Sequence, residues 1–141
     1  MATFNKFNQF VEDLAKKVHN LNADTLKVAL TNTAPAAGNA IFSDITEITA
    51  QNGYAAGGSA ASFSTGAQSS GSYKLVLNDV TFTASGGSFG PFRYVVLYNS
   101  TPTSPLKPLI GYYDYGTGIT VTTGNSFTVD LDQANGVLTL A

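Results

Sequence analysis

His19 is the only histidine in the chain, and with no cysteine present it is the one side chain whose ordinary titration falls near neutrality. Nucleophilic catalysis would need it within hydrogen-bond reach of a hydroxyl and a carboxylate. It follows an amphipathic stretch and stands far in sequence from any Ser/Asp constellation, so a helix-end or surface role is expected of it. Asp130 and Asp132 lie two apart in what reads as a strand, which aims both carboxylates to one side, where Asp114 could join them around a hard cation such as calcium. The alternative is a solvated outer face opposite Phe127, Val129 and Leu131, because calcium takes roughly six to eight oxygens and no EF-type loop is present. Two carboxylates on one strand also do not flank a sugar from both sides, as glycoside hydrolysis requires. Gly57-Gly58 and the Gly86 to Gly90 run lack the lysine and following helix of a phosphate cradle, and read as turns. Tyr113 and Tyr115 share a strand face and could stack on a sugar or anchor an interface, with Tyr112 on the opposite face; core packing of at least one of them is the competing reading.

These residues therefore point to no catalytic centre, no metal site and no cofactor. Composition agrees. At 141 residues the chain fits one domain, a size that buries roughly 70% of its unfolded surface. Absence of cysteine removes disulfides and thiolate ligands and fits assembly in a reducing compartment. A net charge of -2 with 7 Lys+Arg argues against nucleic acid as a partner, since that affinity comes mostly from releasing phosphate counterions. No apolar run approaches the ~20 residues of a membrane span, and the opening MATFNKFNQF lacks the pattern of a secretory signal, so a soluble, unprocessed chain is expected. Only 11% of residues are charged, while Thr, Ser, Asn and Gly are plentiful. Such a surface either belongs to an assembly or is simply the hydroxyl-rich exterior of a β-domain.

The elements that would carry these residues begin with one helix. Phe4, Phe7, Val11, Leu14 and Val18 recur at steps of three and four, and Glu12/Lys16 and Asp13/Lys17 form i,i+4 pairs with the acid first. The spacing predicts an amphipathic helix within residues 1–22, capped by Thr3 or Asn5 and stopped at Asn20 or Asn22. Its apolar stripe either packs on its own sheet or docks on a neighbour. Ser43 to Ile48 has a weak helical-turn signal, with Asp44 and Glu47 at capping-box spacing.

Residues 23–141 read as one β-domain. Leu26, Val28 and Leu30 alternate in a first strand over Thr25 to Thr31; residues 50–72 read as a long Gly/Ala/Ser surface loop with one short strand near Ala61 to Thr65. Strands follow at Tyr73 to Leu77, Val80 to Phe82, Arg93 to Asn99 (apolar on both faces, hence central), Leu109 to Tyr115, Ile119 to Thr122, Ser126 to Asp132 and Val137 to Leu140. Gly116 to Gly118, Gly124-Asn125 and Asn135-Gly136 supply the turns between them. About eight short strands predict an all-β fold, an antiparallel sandwich or jelly roll with one N-terminal amphipathic helix, an up-and-down barrel being the alternative.

Asn5-Lys6-Phe7, the LKVALTNTAP run Leu26 to Pro35, GPFRYVVLYN at Gly90 to Asn99, PLIGYYDYG at Pro108 to Gly116 and the closing TVDLDQANGVLTL give a pattern that resembles, nearly end to end, the small β-rich cement or decoration proteins of tailed-bacteriophage capsids. The resemblance implies a non-enzymatic, jelly-roll-like virion protein. It would be made in the bacterial cytoplasm and bound in many copies to the outer capsid surface, where it bridges major capsid subunits as a homodimer or other homo-oligomer. It transfers no catalytic residue. Partner contact is expected at the helix stripe through Phe4, Phe7 and Val11, at Tyr54 and Phe63 in the 50–72 segment, and at the proline-rich excursion with Pro102, Pro105 and Tyr112, because loops and chain ends carry binding more often than buried strands. Truncation of residues 1–20 is expected to weaken shell binding more than it unfolds the strands. A tail or fibre component and a carbohydrate-binding module using the Tyr113/Tyr115 face are the alternatives.

Overall fold

The structure is a computed structural model that describes residues 2–141. In chain order its elements are β1 (Phe4–Lys6), α1 (Asn8–Ala15), β2 (Leu26–Thr31), a 3-10 turn (Phe42–Asp44), β3 (Ser59–Ala60), β4 (Phe63–Ser69), β5 (Ser72–Leu77), β6 (Val80–Thr83), β7 (Phe89–Asn99), β8 (Leu109–Val121), β9 (Ser126–Val129) and β10 (Leu138–Leu140). The fold is mostly β, with every ladder antiparallel and a single α-helix among the described residues. The strands form a five-stranded sheet ordered β1-β8-β7-β2-β3, a three-stranded sheet ordered β10-β5-β4, and the pair β6-β9.

β7 is the central strand its sequence predicts. Tyr94 to Asn99 are all buried between β8 and β2, and the alternation of the pleat sends Val95 and Leu97 to one face and Val96 and Tyr98 to the other. On the inner face Val28, Leu30, Val95, Leu97, Ile110 and Tyr113 meet Leu75 and Leu77 of β5 and Val80, Phe82 and Val129 of the β6-β9 pair in one core. Each such fully buried side chain contributes roughly 1.5–3 kcal/mol. On the outer face Ala29, Val96, Tyr98, Leu109 and Phe7 form a second, smaller cluster. Residues 32–48 fold over it as a flap: Phe42 stacks on Tyr98 at 4.2 Å between centroids, Ile45 packs beside it, and backbone bonds Phe42 N to Lys107 O (2.9 Å) and Leu109 N to Ala40 O (3.0 Å) hold it down.

The N-terminal segment differs from the expected long helix. Phe4 lies in β1, opposite Tyr113, because the free edge of β8 offers Phe4–Lys6 a ladder of backbone bonds. The helix is only α1, preceded by Phe7 without a side-chain cap and closed by Lys17 in a left-handed conformation (φ 66). Its buried face carries Phe10 and Asp13, and Val11 points to solvent at 50% exposure. The Glu12–Lys16 pair forms at 2.7 Å; Asp13 instead turns inward and accepts from Gln9 Nε2 at 3.1 Å. The whole segment packs on its own sheet, with Phe7 N donating to Ile110 O.

Three further departures have local causes. Gly116 to Gly118 make no hairpin turn: Leu109 to Val121 run as one strand, which stays beside β7 through irregularities opposite Phe89, Phe92 and Tyr94. Residues 50–72 are not one loop, since β3 pairs with β2 and β4 with β5. The short helical turn falls at Phe42–Asp44, where the Asp44 carboxylate accepts from the amides of Ala40 and Ile41; Glu47 is used elsewhere.

Candidate interaction site

The residues singled out for partner contact divide by exposure. Phe7 is 0% and Tyr54 2% exposed, so neither presents surface. Tyr54 is a structural pin. Its hydroxyl donates to Glu47 Oε2 at 2.5 Å and accepts from Leu30 N at 3.0 Å, tying the flap to β2; burial, then the neighbouring Glu47 carboxylate, push its pKa far up. Glu47 also accepts from Gly57 N at 2.6 Å, and Tyr98 donates to Gly57 O at 2.6 Å, its own pKa pushed up to about 12 chiefly by burial.

Phe4 is half-buried edge-on to Tyr113, and Tyr112 is half-buried against Phe7. Val11 and Phe63 are exposed. Pro102 and Pro105 are half-exposed in a short hairpin closed by a Thr103–Leu106 bridge, whose Leu106 is 55% exposed. Leu106 lies inside the Pro102 to Pro108 excursion expected to carry contact but was not itself named, although an apolar residue next to Pro105 with nothing to bury it is a recognisable signal.

In the β4-β5 hairpin, β4 is exposed along nearly its whole length, while β5 is buried from Leu75 to Leu77. Along β4 only Gly66 is even partly covered. At the tip Ser70 and Gly71 both take left-handed conformations (φ 51 and 82), the geometry that suits the twist of a two-residue hairpin. A hairpin solvated on both faces has little burial to offset its lost chain entropy. Here the Tyr73 ring lies across Gly66, and β5 continues into the core at Leu75.

The remaining candidate chemistry is accounted for by structure. Tyr113 is 4% exposed, and Tyr115 packs edge-on against Phe127, so the pair offers no open platform for a sugar. Asp130 and Asp132 fall beyond β9, where each carboxylate accepts a backbone amide, of Asp132 and Asn135 respectively. Asp114 makes a two-point pair with Arg93 (2.8 and 3.1 Å), and that guanidinium, followed by the Gly116 amide, holds its carboxyl below the usual carboxylate range. Among the described residues no three His, Cys, Asp or Glu side chains are grouped to hold a metal ion.

His19 is a correction. It is 5% exposed rather than at the surface. Asn99, itself fully buried, bonds Asp24 Oδ2 (2.7 Å) and His19 Nδ1 (3.1 Å) through its Nδ2, while its Oδ1 accepts from Thr101 N at 3.1 Å. With both amide hydrogens directed this way, His19 Nδ1 accepts and the ring proton sits on Nε2. That Nε2 and Asp13 Oδ2 are buried without hydrogen-bond partners. Burial is the main cause that holds the His19 pKa below its usual value, against the attraction of Asp13 and Asp24. The arrangement is a polar plug beneath α1, and no serine bonds the ring.

Comparison of the chain with protein-family models, with curated proteins and with solved structures returns no match. No helix among the described residues is long and apolar enough to cross a membrane.

Proposed function

We propose that the chain is a structural virion protein: a cement or decoration protein that binds the outer surface of an assembled tailed-phage capsid and bridges neighbouring major capsid subunits. On this reading the sheets belong to a jelly-roll-like sandwich, the protein acts without a reactive centre, and it works as a homo-oligomer. The observation that carries the proposal is β4, a seven-residue strand exposed along nearly its whole length with an uncharged, hydroxyl-rich surface. β5, paired to β10 and anchored in the core, holds it in place, and its outer edge is left open to a partner. Exposed Val11, Phe63 and Leu106 add apolar anchors around an otherwise polar exterior. Small contacts of this kind become strong when repeated by the symmetry of a shell, because each bound copy raises the effective concentration of the next contact.

The test is to mix purified protein with shells that lack it, then measure cosedimentation and resistance of the shells to heat. Binding with a gain in shell stability is expected, and Leu106→Asp with Phe63→Ser should weaken it. Intact shells that neither retain the protein nor gain resistance would end the proposal.

A further inference from the structure

We propose that β4 is a dimerisation strand: its open edge pairs antiparallel with β4 of a second copy about a twofold axis, joining two three-stranded sheets into one of six.

β4 is the terminal strand of the order β10-β5-β4, and among the described residues no strand flanks its outer side. The two-residue turn at Ser70-Gly71 makes Ser69 and Ser72 the hydrogen-bonded pair that closes the hairpin, so in the alternation of an antiparallel ladder Ala67 and Thr65 also bond inward to β5. The N–H and C=O groups of Gly66 and Gln68 consequently point outward.

Other sheet ends are shorter, with three residues in β1, two in β3, three in β10 and four each in β6 and β9, and β1 ends in an exposed lysine. β4 has seven residues, FSTGAQS, and carries none of the lysine, proline or inward charge by which natural sheets block edge pairing; its one register irregularity, between Phe63 and Thr65, leaves the regular stretch Thr65 to Ser69 free to pair.

A second copy is the occupant this strand fits. A twofold axis at Ala67 sets Gly66 opposite Gln68 of the other copy and Thr65 opposite Ser69, which brings the four outward donors and acceptors of each strand into register. Every cross-strand pair in that register is small or uncharged, so self-pairing meets neither like-charge repulsion nor a steric block. The nearest cations are the two Lys74 side chains, on strands three spacings apart, about 14 Å, beyond the screening length of roughly 10 Å at 0.1 M salt. The pairing is isologous and closes at two copies. Strand pairing alone covers less than the ~800 Å² per partner of a standard stable interface, which makes the dimer concentration-dependent.

Sedimentation of the full chain across about 1 µM to 1 mM, with amide exchange at both ends of that range, tests this without shells and so independently of capsid binding. The expected result is a monomer–dimer equilibrium, with the Gly66 and Gln68 amides exchanging roughly ten-fold more slowly at the high end. Gln68→Pro removes an outward donor and Gln68→Lys places a charge on the edge, and both also remove the Gln68 Oε1 acceptor of the Gly71 amide (3.1 Å) in the turn; each should shift the chain to monomer, while Gln68→Ala, which loses that acceptor alone, should stay dimeric. If Gln68→Pro fails to fold, Gln68→Lys and the wild-type exchange data still decide. A monomer at every concentration overturns the proposal, as does a dimer insensitive to Gln68→Lys whose Gly66 and Gln68 amides exchange alike throughout the range.

Discussion

His19 and Asn99 show how much a single polar side chain can be worth when it is enclosed. The neutral imidazole accepts from an amide that has no other place for that hydrogen, so a second ring proton on Nδ1 would face a donor and break the bond. Folded His19 takes up a proton less readily than unfolded His19. Its stabilising contribution is therefore fully present above the unfolded value near 6.5 and is lost as pH falls from there through the depressed folded value. Urea unfolding midpoints should drop between pH 7.5 and pH 5, and His19→Gln should flatten that slope; an unchanged slope in the variant would assign the acid sensitivity to carboxylates. None of this was legible in the sequence. The helical spacing located the segment correctly, but whether a histidine at its end faces solvent or Asn99, 80 residues away, is decided by tertiary packing. Tyr54 was misread for the same reason, since a Tyr among Gly and Ala looks exposed until Glu47 and Leu30 N are seen to hold its hydroxyl.

The elements were read best where a pattern has one physical meaning. β2, β5, β6 and the two-sided apolar β7 emerge within a residue or a few of the expected positions, because alternation or continuous Val/Leu/Tyr runs in such short segments fit strands. Glycines were read worst, because the same residue serves turns, irregular ladders and close approaches. Gly58 is such an approach: at φ +73 a side chain is strained, and a Cβ would strike the carbonyl of Val28. Gly58→Ala should cost at least about 2 kcal/mol and unpair β3 from β2, whereas Gly38→Ala, with open space around it, should be near neutral. Denaturation midpoints of the two variants measured together check the contrast. Of β4 only the start was expected, within a short strand near Ala61 to Thr65, because the rest of the strand has no hydrophobic face to create a period.

For the molecule as a whole, the mostly β, antiparallel class followed from the alternation and turn spacing along the chain, while the role of the N-terminus did not. Phe7 and Phe10 are 0% and 1% exposed and β1 closes the edge of β8, so residues 2–15 belong to the folded body. Losing either Phe side chain alone costs about 3–5 kcal/mol, against a total stability of roughly 5–15 kcal/mol for a domain. A chain lacking residues 2–15 should thus lose cooperative unfolding by circular dichroism and aggregate, the reverse of the mild effect that a detachable docking helix would give. Retention of a sharp melt would return the segment to a docking role. The flap over residues 32–48 is fastened to that body at both ends. The Phe42–Tyr98 stack and the backbone bonds to Lys107 and Leu109 hold one end; the Thr31–Glu47 bridge, the Tyr54–Glu47 bond and the Ile48 amide on Leu30 O hold the other, where Ile48 packs on the central core. A disturbance of this cover is therefore felt by β2 as well as by the outer cluster, so cover and sheet should come apart together.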